Sequence, residues 1–217
     1  MNDRSSAEED LRVIRTLMER ASTYRAISAP TALVGGLLSI LSALFIARPD
    51  FLLDRPLRAR EFALIWIVVL AITMAMNAFF VSREARNSGR PFVSPGMKLA
   101  LRSIVPTLLV PIVFTIWFLK LGYLSGSELE VVAIWIVFYG LALLSTALFA
   151  PRSLSLLGWA FLLTGLSVPV TADFVDGLSN NIPNFFMGIT FGFYHLIYAF
   201  FSWPRKGREL SSEPVHE

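Results

Sequence analysis

Six apolar stretches, almost free of charge, run through this chain: Ala26–Ala47, Phe62–Val81, Ser103–Leu119, Val131–Ala150, Leu154–Ala172 and Ile182–Trp203. Each has 17 to 22 residues. A helix needs about 20 residues to cross roughly 30 Å of hydrocarbon. With no water there to satisfy an open backbone, a helix is the form such a run must take. Helices of a soluble core are shorter and amphipathic, so six such runs in 217 residues leave no room for a soluble fold. The third run is the shortest, and Lys120 at its end can snorkel outward so that the helix continues to about residue 122.

The predicted fold class is therefore all-α and polytopic. It is a bundle of six transmembrane helices at about 26–47, 62–81, 103–122, 131–150, 154–172 and 182–203, preceded by a cytoplasmic amphipathic helix over 1–25 and followed by a tail over 204–217. Composition agrees. Hydrophobic residues make up 55% and charged residues 16%, against about 25% charged in an average soluble domain. The charges collect between the apolar runs, as they must when one at the bilayer centre costs about 2.5–3.5 kcal/mol.

The segment Met1–Arg25 is polar and opens on Glu8, Glu9 and Asp10, unlike the basic start and short apolar core of a cleaved signal. Ser5 and Ser6 each have a glutamate three residues on, the capping-box spacing. Leu11, Ile14, Met18 and Ala21 follow at helical spacing among Arg12, Arg15, Arg20 and Arg25. This pattern predicts a helix resting on the membrane surface or packed against the ends of the bundle. Orientation follows from the basic residues. With the N-terminus inside, fourteen Arg and Lys fall in cytoplasmic segments and five in outside loops, so both termini are expected in the cytoplasm. The exception is the first outside loop, Arg48–Glu61, with four arginines.

There is no cysteine, which excludes disulfides, thiolate metal sites and thiol nucleophiles. Histidine occurs only at His195 and His216, so no metal site or cofactor is expected. The net charge of +3 comes from basic residues bordering apolar runs and points to a lipid bilayer, not to nucleic acid. Arginine outnumbers lysine 16 to 3 in an Ala- and Leu-rich chain, which fits a GC-rich bacterial genome and an inner-membrane location.

The sixth run carries the most information. At 100° per residue Asn184, Gly188, Gly192, His195, Ala199 and Ser202 form one stripe, with Phe185, Ile189, Phe193, Leu196 and Phe200 among the bulky residues opposite. The first run is built alike, with Ser28, Thr31, Ala32, Gly35, Ser39, Ser42 and Ala43 on one face and Leu33, Leu37, Ile40, Leu41 and Leu44 on the other. Small residues belong at helix contacts in lipid, so Gly35, Ser39, Gly188 and Gly192 are expected to be packing positions and the two faces to point inward, where they can meet.

An ionisable residue inside a membrane is a functional candidate by default. His195 is the one histidine within a run, and Asn184 and Tyr198 share its helix; Asn77 (with Thr73) on the second run and Tyr139 on the fourth can reach the same interior. Such a set can bind a polar head group, relay a proton or ligate a haem from one side; equally, the histidine can be a neutral core residue bonded to a neighbouring tyrosine or carbonyl. Pro106 and Pro111 are expected to bend the third helix, Pro30 to sit in the first turn of the first, and Pro169 to end the fifth. The acidic residues Glu128, Glu130, Asp173 and Asp176 are assigned to outside loops. Ile65-Trp66-Ile67-Val68 recurs as Ile134-Trp135-Ile136-Val137, each with an arginine 17 residues after its tryptophan, a spacing generic to helices pointing the same way.

No catalytic residue is assigned, since no run holds a carboxylate and no nucleotide, metalloprotease or serine-hydrolase fingerprint occurs. Three functions stay open. The chain is a non-enzymatic subunit, scaffold or regulator of a membrane system, working with a membrane-protein partner or with copies of itself. Alternatively it binds or transports a small or lipidic molecule around His195. In the third reading it is a membrane enzyme or redox subunit that uses His195.

Overall fold

The computed structural model describes residues 27–47, 58–87, 95–121, 128–147, 150–174 and 181–203. The expected N-terminal helix over 1–25, most of the loop Arg48–Glu61 and the tail over 204–217 lie outside these residues. The described chain forms α1 (Ala29–Ala47), α2 (Ala59–Asn87), α3 (Pro95–Leu121), α4 (Glu128–Leu144), α5 (Arg152–Phe174) and α6 (Ile182–Ser202).

Five of these helices, α1, α2, α3, α5 and α6, are long and apolar enough to cross a membrane. The fourth expected span is shorter than its apolar run. Its helix has 17 residues, about 25 Å at 1.5 Å per residue, and gives way to a turn over 145–147. It also starts earlier than 131, because Glu128 and Glu130 are not loop residues but fill its first turn. Carboxylates there complement the positive end of the helix dipole. α2 and α3 likewise outrun their apolar runs at their polar ends. Pro169 does not end α5, which continues to Phe174.

α1 lies between α2 and α6, while α6 also touches α4 and α5, α4 and α5 pair closely, and α3 packs along α4. The seams are made by glycines. Along the antiparallel α1–α6 seam, a Cβ built on Gly36 would stand 3.0 Å from the Gly192 carbonyl oxygen, one on Gly192 would stand 2.7 Å from Ile40, and one on Gly188 would stand 3.0 Å from the Ala43 Cβ. Gly35 faces α2 instead, where a Cβ would meet the Thr73 methyl at 2.7 Å. Ser39 is buried. The small-residue faces of the first and sixth runs thus do pack on each other. Ile40, expected to face lipid, is drawn in because Gly192 leaves room for it, and Leu196 sits over Gly36 for the same reason.

The α4–α5 seam is as close and was not foreseen from the sequence. A Cβ on Gly140 would stand 2.7 Å from the Leu162 nitrogen and 2.8 Å from the Gly158 carbonyl, and one on Gly165 would meet Val137 at 2.7 Å. The core lies where these seams converge, with Ile136, Leu154, Phe161 and Val168 fully buried. Outside it, Leu41, Leu44, Leu156, Leu163, Phe185, Phe200 and many others are exposed apolar side chains, the surface expected of helices in lipid.

Candidate functional site

α6 is not one regular helix. Ile182–Met187 is α-helical, Gly188–Tyr194 is a π-helix, and His195–Ser202 is α-helical again. A π turn is wider than an α turn and commonly marks a functional position. Here it breaks the 100° periodicity, so that Thr190 is buried along with Asn184, Met187, Gly192, His195, Tyr198 and Ala199. The Thr190 hydroxyl donates to the Phe186 carbonyl one turn back at 2.7 Å, taking up part of the backbone capacity that the wide turn frees.

His195 follows the π turn directly. Its Nε2 shares a 2.8 Å hydrogen bond with the Tyr139 hydroxyl of α4. Its Nδ1 is buried and directed at the Thr190 and Phe191 carbonyls without closing a full hydrogen bond to either. That arrangement suits the tautomer with the proton on Nδ1, Nε2 then accepting from the tyrosine. Around the pair stand aromatic rings. Tyr139 lies 4.7 Å from Phe161 and 5.1 Å from Phe191, and Phe161 lies 5.5 Å from the His195 ring. Phe191 stacks over His195 at 6.2 Å and 13°. The residue just before the histidine, Tyr194, shares a 2.9 Å bond with the Thr164 hydroxyl of α5. The histidine is thus enclosed ring against ring and only 7% exposed.

The other residues singled out from the sequence fall in different places. Tyr198, one turn after His195, donates to the Ile27 carbonyl at 3.2 Å and ties the end of α6 to the start of α1. Asn184 lies about three turns before His195; its Nδ2 donates to the Ala43 carbonyl at 2.6 Å, while its Oδ1 is buried without a hydrogen-bond partner. Asn77 sits on α2 one turn beyond Thr73, beside the α1 contact and apart from the aromatic cluster. The structure brings Tyr139 and His195 together and leaves Asn184 and Asn77 on seams of their own.

Phe161 and Thr164 belong to the cluster and were missed, because a phenylalanine or threonine inside an apolar run looks the same whether it faces lipid or core. The proline-containing α3 is held by a second polar link. Pro111 lacks an N–H, the Thr115 hydroxyl donates to the Pro111 carbonyl at 2.7 Å, and the Trp135 indole of α4 donates to that hydroxyl at 2.8 Å. The related Trp66 on α2 is buried with its indole nitrogen unpaired, so the two Ile-Trp-Ile-Val stretches occupy unlike environments. Among the described residues no three His, Asp or Glu side chains gather in a way that would hold a metal ion.

No family model, no curated protein and no solved structure matches this chain.

Proposed function

We propose that this protein is a non-enzymatic subunit, scaffold or regulator within a membrane assembly, built of six crossings with both termini in the cytoplasm of a bacterial cell and the arginine-rich segment over 1–25 as a surface helix. In this reading α4, with its turn and the apolar residues to Ala150, is the fourth of the six crossings.

The observation that carries the proposal is the division of labour between helices. Four polar links in the interior join helices: Tyr139 to His195, Asn184 to Ala43, Trp135 to Thr115 and Tyr194 to Thr164. The outer helices, by contrast, are bare. Of the most apolar 18-residue stretches, 11% is buried in α2 and 17% in α3, against 39% in α1. α2 packs along α1, and α3 packs along α4. α2 and α3 approach each other where Ala59 and Ala63 gather with Phe118 and Leu119 around Val131, but they share no extended seam. Two adjoining, weakly packed helices with Leu70, Met74, Leu109 and Val113 exposed offer a lateral face to another membrane helix.

Native mass spectrometry on gently extracted protein, comparing wild type with His195→Ala, tests this reading. A stoichiometric protein partner or a second copy, together with single-cysteine cross-links from positions 70 or 109, is the expected result. A bound small molecule that vanishes in His195→Ala would replace the proposal with the transporter or binding-protein reading.

A further inference from the structure

α2 is longer than a membrane requires. Its 29 residues span about 43 Å at 1.5 Å per residue, against roughly 30 Å of hydrocarbon. The apolar run stops at Val81, and the helix continues through Ser82, Arg83, Glu84, Ala85, Arg86 and Asn87. These last turns stand at head-group height.

One side of these turns carries Phe79, Ser82, Arg83, Arg86 and Asn87. The five residues are one helix face, spaced at three and four. Glu84 points well over 100° away from the middle of that face at 100° per residue, so its carboxylate does not occupy the site. Among the described residues neither Arg83 nor Arg86 is held in a salt bridge, and both are exposed. The Ser82 hydroxyl donates to the Phe79 carbonyl at 2.8 Å, which leaves the two guanidinium groups and the Asn87 amide as the donors on that face.

Toward the middle of the helix the same face continues as Ile72, Ala75 and Met76, with Ile72 and Phe79 exposed. Two adjacent cationic donors above an apolar track match an amphiphile with an anionic head. Two guanidinium groups one turn apart suit phosphate oxygens, which they engage by two parallel hydrogen bonds each.

We infer that Arg83 and Arg86, with Asn87, form a binding site for a phosphate-bearing anion, and that the occupant is the head group of an anionic phospholipid whose acyl chain lies along Phe79, Met76 and Ile72. The site requires only that α2 crosses a membrane and does not depend on the subunit role.

The test uses the full chain in nanodiscs of phosphatidylglycerol with phosphatidylcholine, read by native mass spectrometry for phosphatidylglycerol that survives delipidation. Arg83→Gln/Arg86→Gln is expected to weaken retention roughly twenty- to thirty-fold, the loss of two basic groups at an anionic surface. Arg83→Lys/Arg86→Lys keeps the charge but loses the planar fork, and is expected to weaken it severalfold. Arg58→Gln, at the opposite end of α2, is expected to leave it unchanged. A parallel titration of inorganic phosphate in pure phosphatidylcholine nanodiscs separates the sources. Phosphate binding with the same arginine dependence, while phosphatidylglycerol is indifferent, assigns the site to a soluble phosphate. Lysine variants that behave as wild type would reduce the site to diffuse surface charge and overturn the inference. Glutamine variants that alter neither ligand would overturn it as well.

Discussion

The His195 ring gives up water on nearly every side and regains one hydrogen bond, to the Tyr139 hydroxyl. Removing one partner of a buried pair strands the other, which costs about 1–3 kcal/mol. Tyr139→Phe is therefore expected to lower stability by that amount, measured by thermal or denaturant unfolding in one detergent. In the double variant with His195→Leu the cost should fall well short of the sum, because no stranded nitrogen remains. Strictly additive costs would mean that the bond contributes nothing. The same argument applies to Thr115→Val, which leaves the Trp135 indole without its acceptor. An expected loss of about 1–2 kcal/mol there should come with looser attachment of α3 to α4, seen as faster hydrogen exchange in α3. At this scale the sequence was only half readable. A lone histidine within an apolar run declares itself, since no other side chain in the run titrates near neutral pH, but its partner ring Phe161 and the Thr164 that holds Tyr194 carry no such mark.

Helices in lipid gain nothing from hiding apolar surface from one another, so close packing of backbones decides which faces meet. Glycines set that approach, and they differ in what a methyl group would strike. At Gly140 the obstacles are the Leu162 nitrogen and the Gly158 carbonyl, backbone atoms that cannot turn aside, whereas at Gly188 it is the Ala43 Cβ at 3.0 Å. Gly140→Ala is accordingly expected to destabilise more than Gly188→Ala. Gly35→Leu and Gly188→Leu should each cost more than Leu37→Ala, whose side chain is exposed. Equal tolerance of the alanine and leucine variants in an unfolding series would contradict the seams as described. The α1 and α6 faces could be read from sequence because small residues crowd one side of each run. The α4–α5 seam could not, since Gly140 stands alone in its run and only the seven-residue spacing of Gly158 and Gly165 hinted at a face. The π turn in α6 was invisible for a different reason. Reading faces at a fixed 100° assumes the very regularity that it breaks, which is why the inward place of Thr190 does not show at that spacing.

The number of crossings is a property of the whole molecule and can be tested as one. With six crossings, cysteines placed at Ser88 and Ser212 are labelled from the cytoplasmic side and one at Ser179 from outside; the cysteine-free chain makes such labelling clean. If α4 stayed on one side, Ser179 would be labelled from inside and Ser212 from outside, while Ser88 would not change. The sequence by itself determined that this chain is helical and built for a bilayer, because the length of an apolar run and the absence of charge are local properties that the solvent alone imposes. Which residues became neighbours was decided only by tertiary structure. A bilayer accepts any apolar side chain on any outward face, so composition cannot distinguish a phenylalanine that meets lipid from one that encloses His195. Nor can it tell whether α1 lies on α2, on α6 or, as folded, on both. Those choices rest on ångström-level fits between glycine backbones and opposing side chains, and such fits exist only once the helices are assembled.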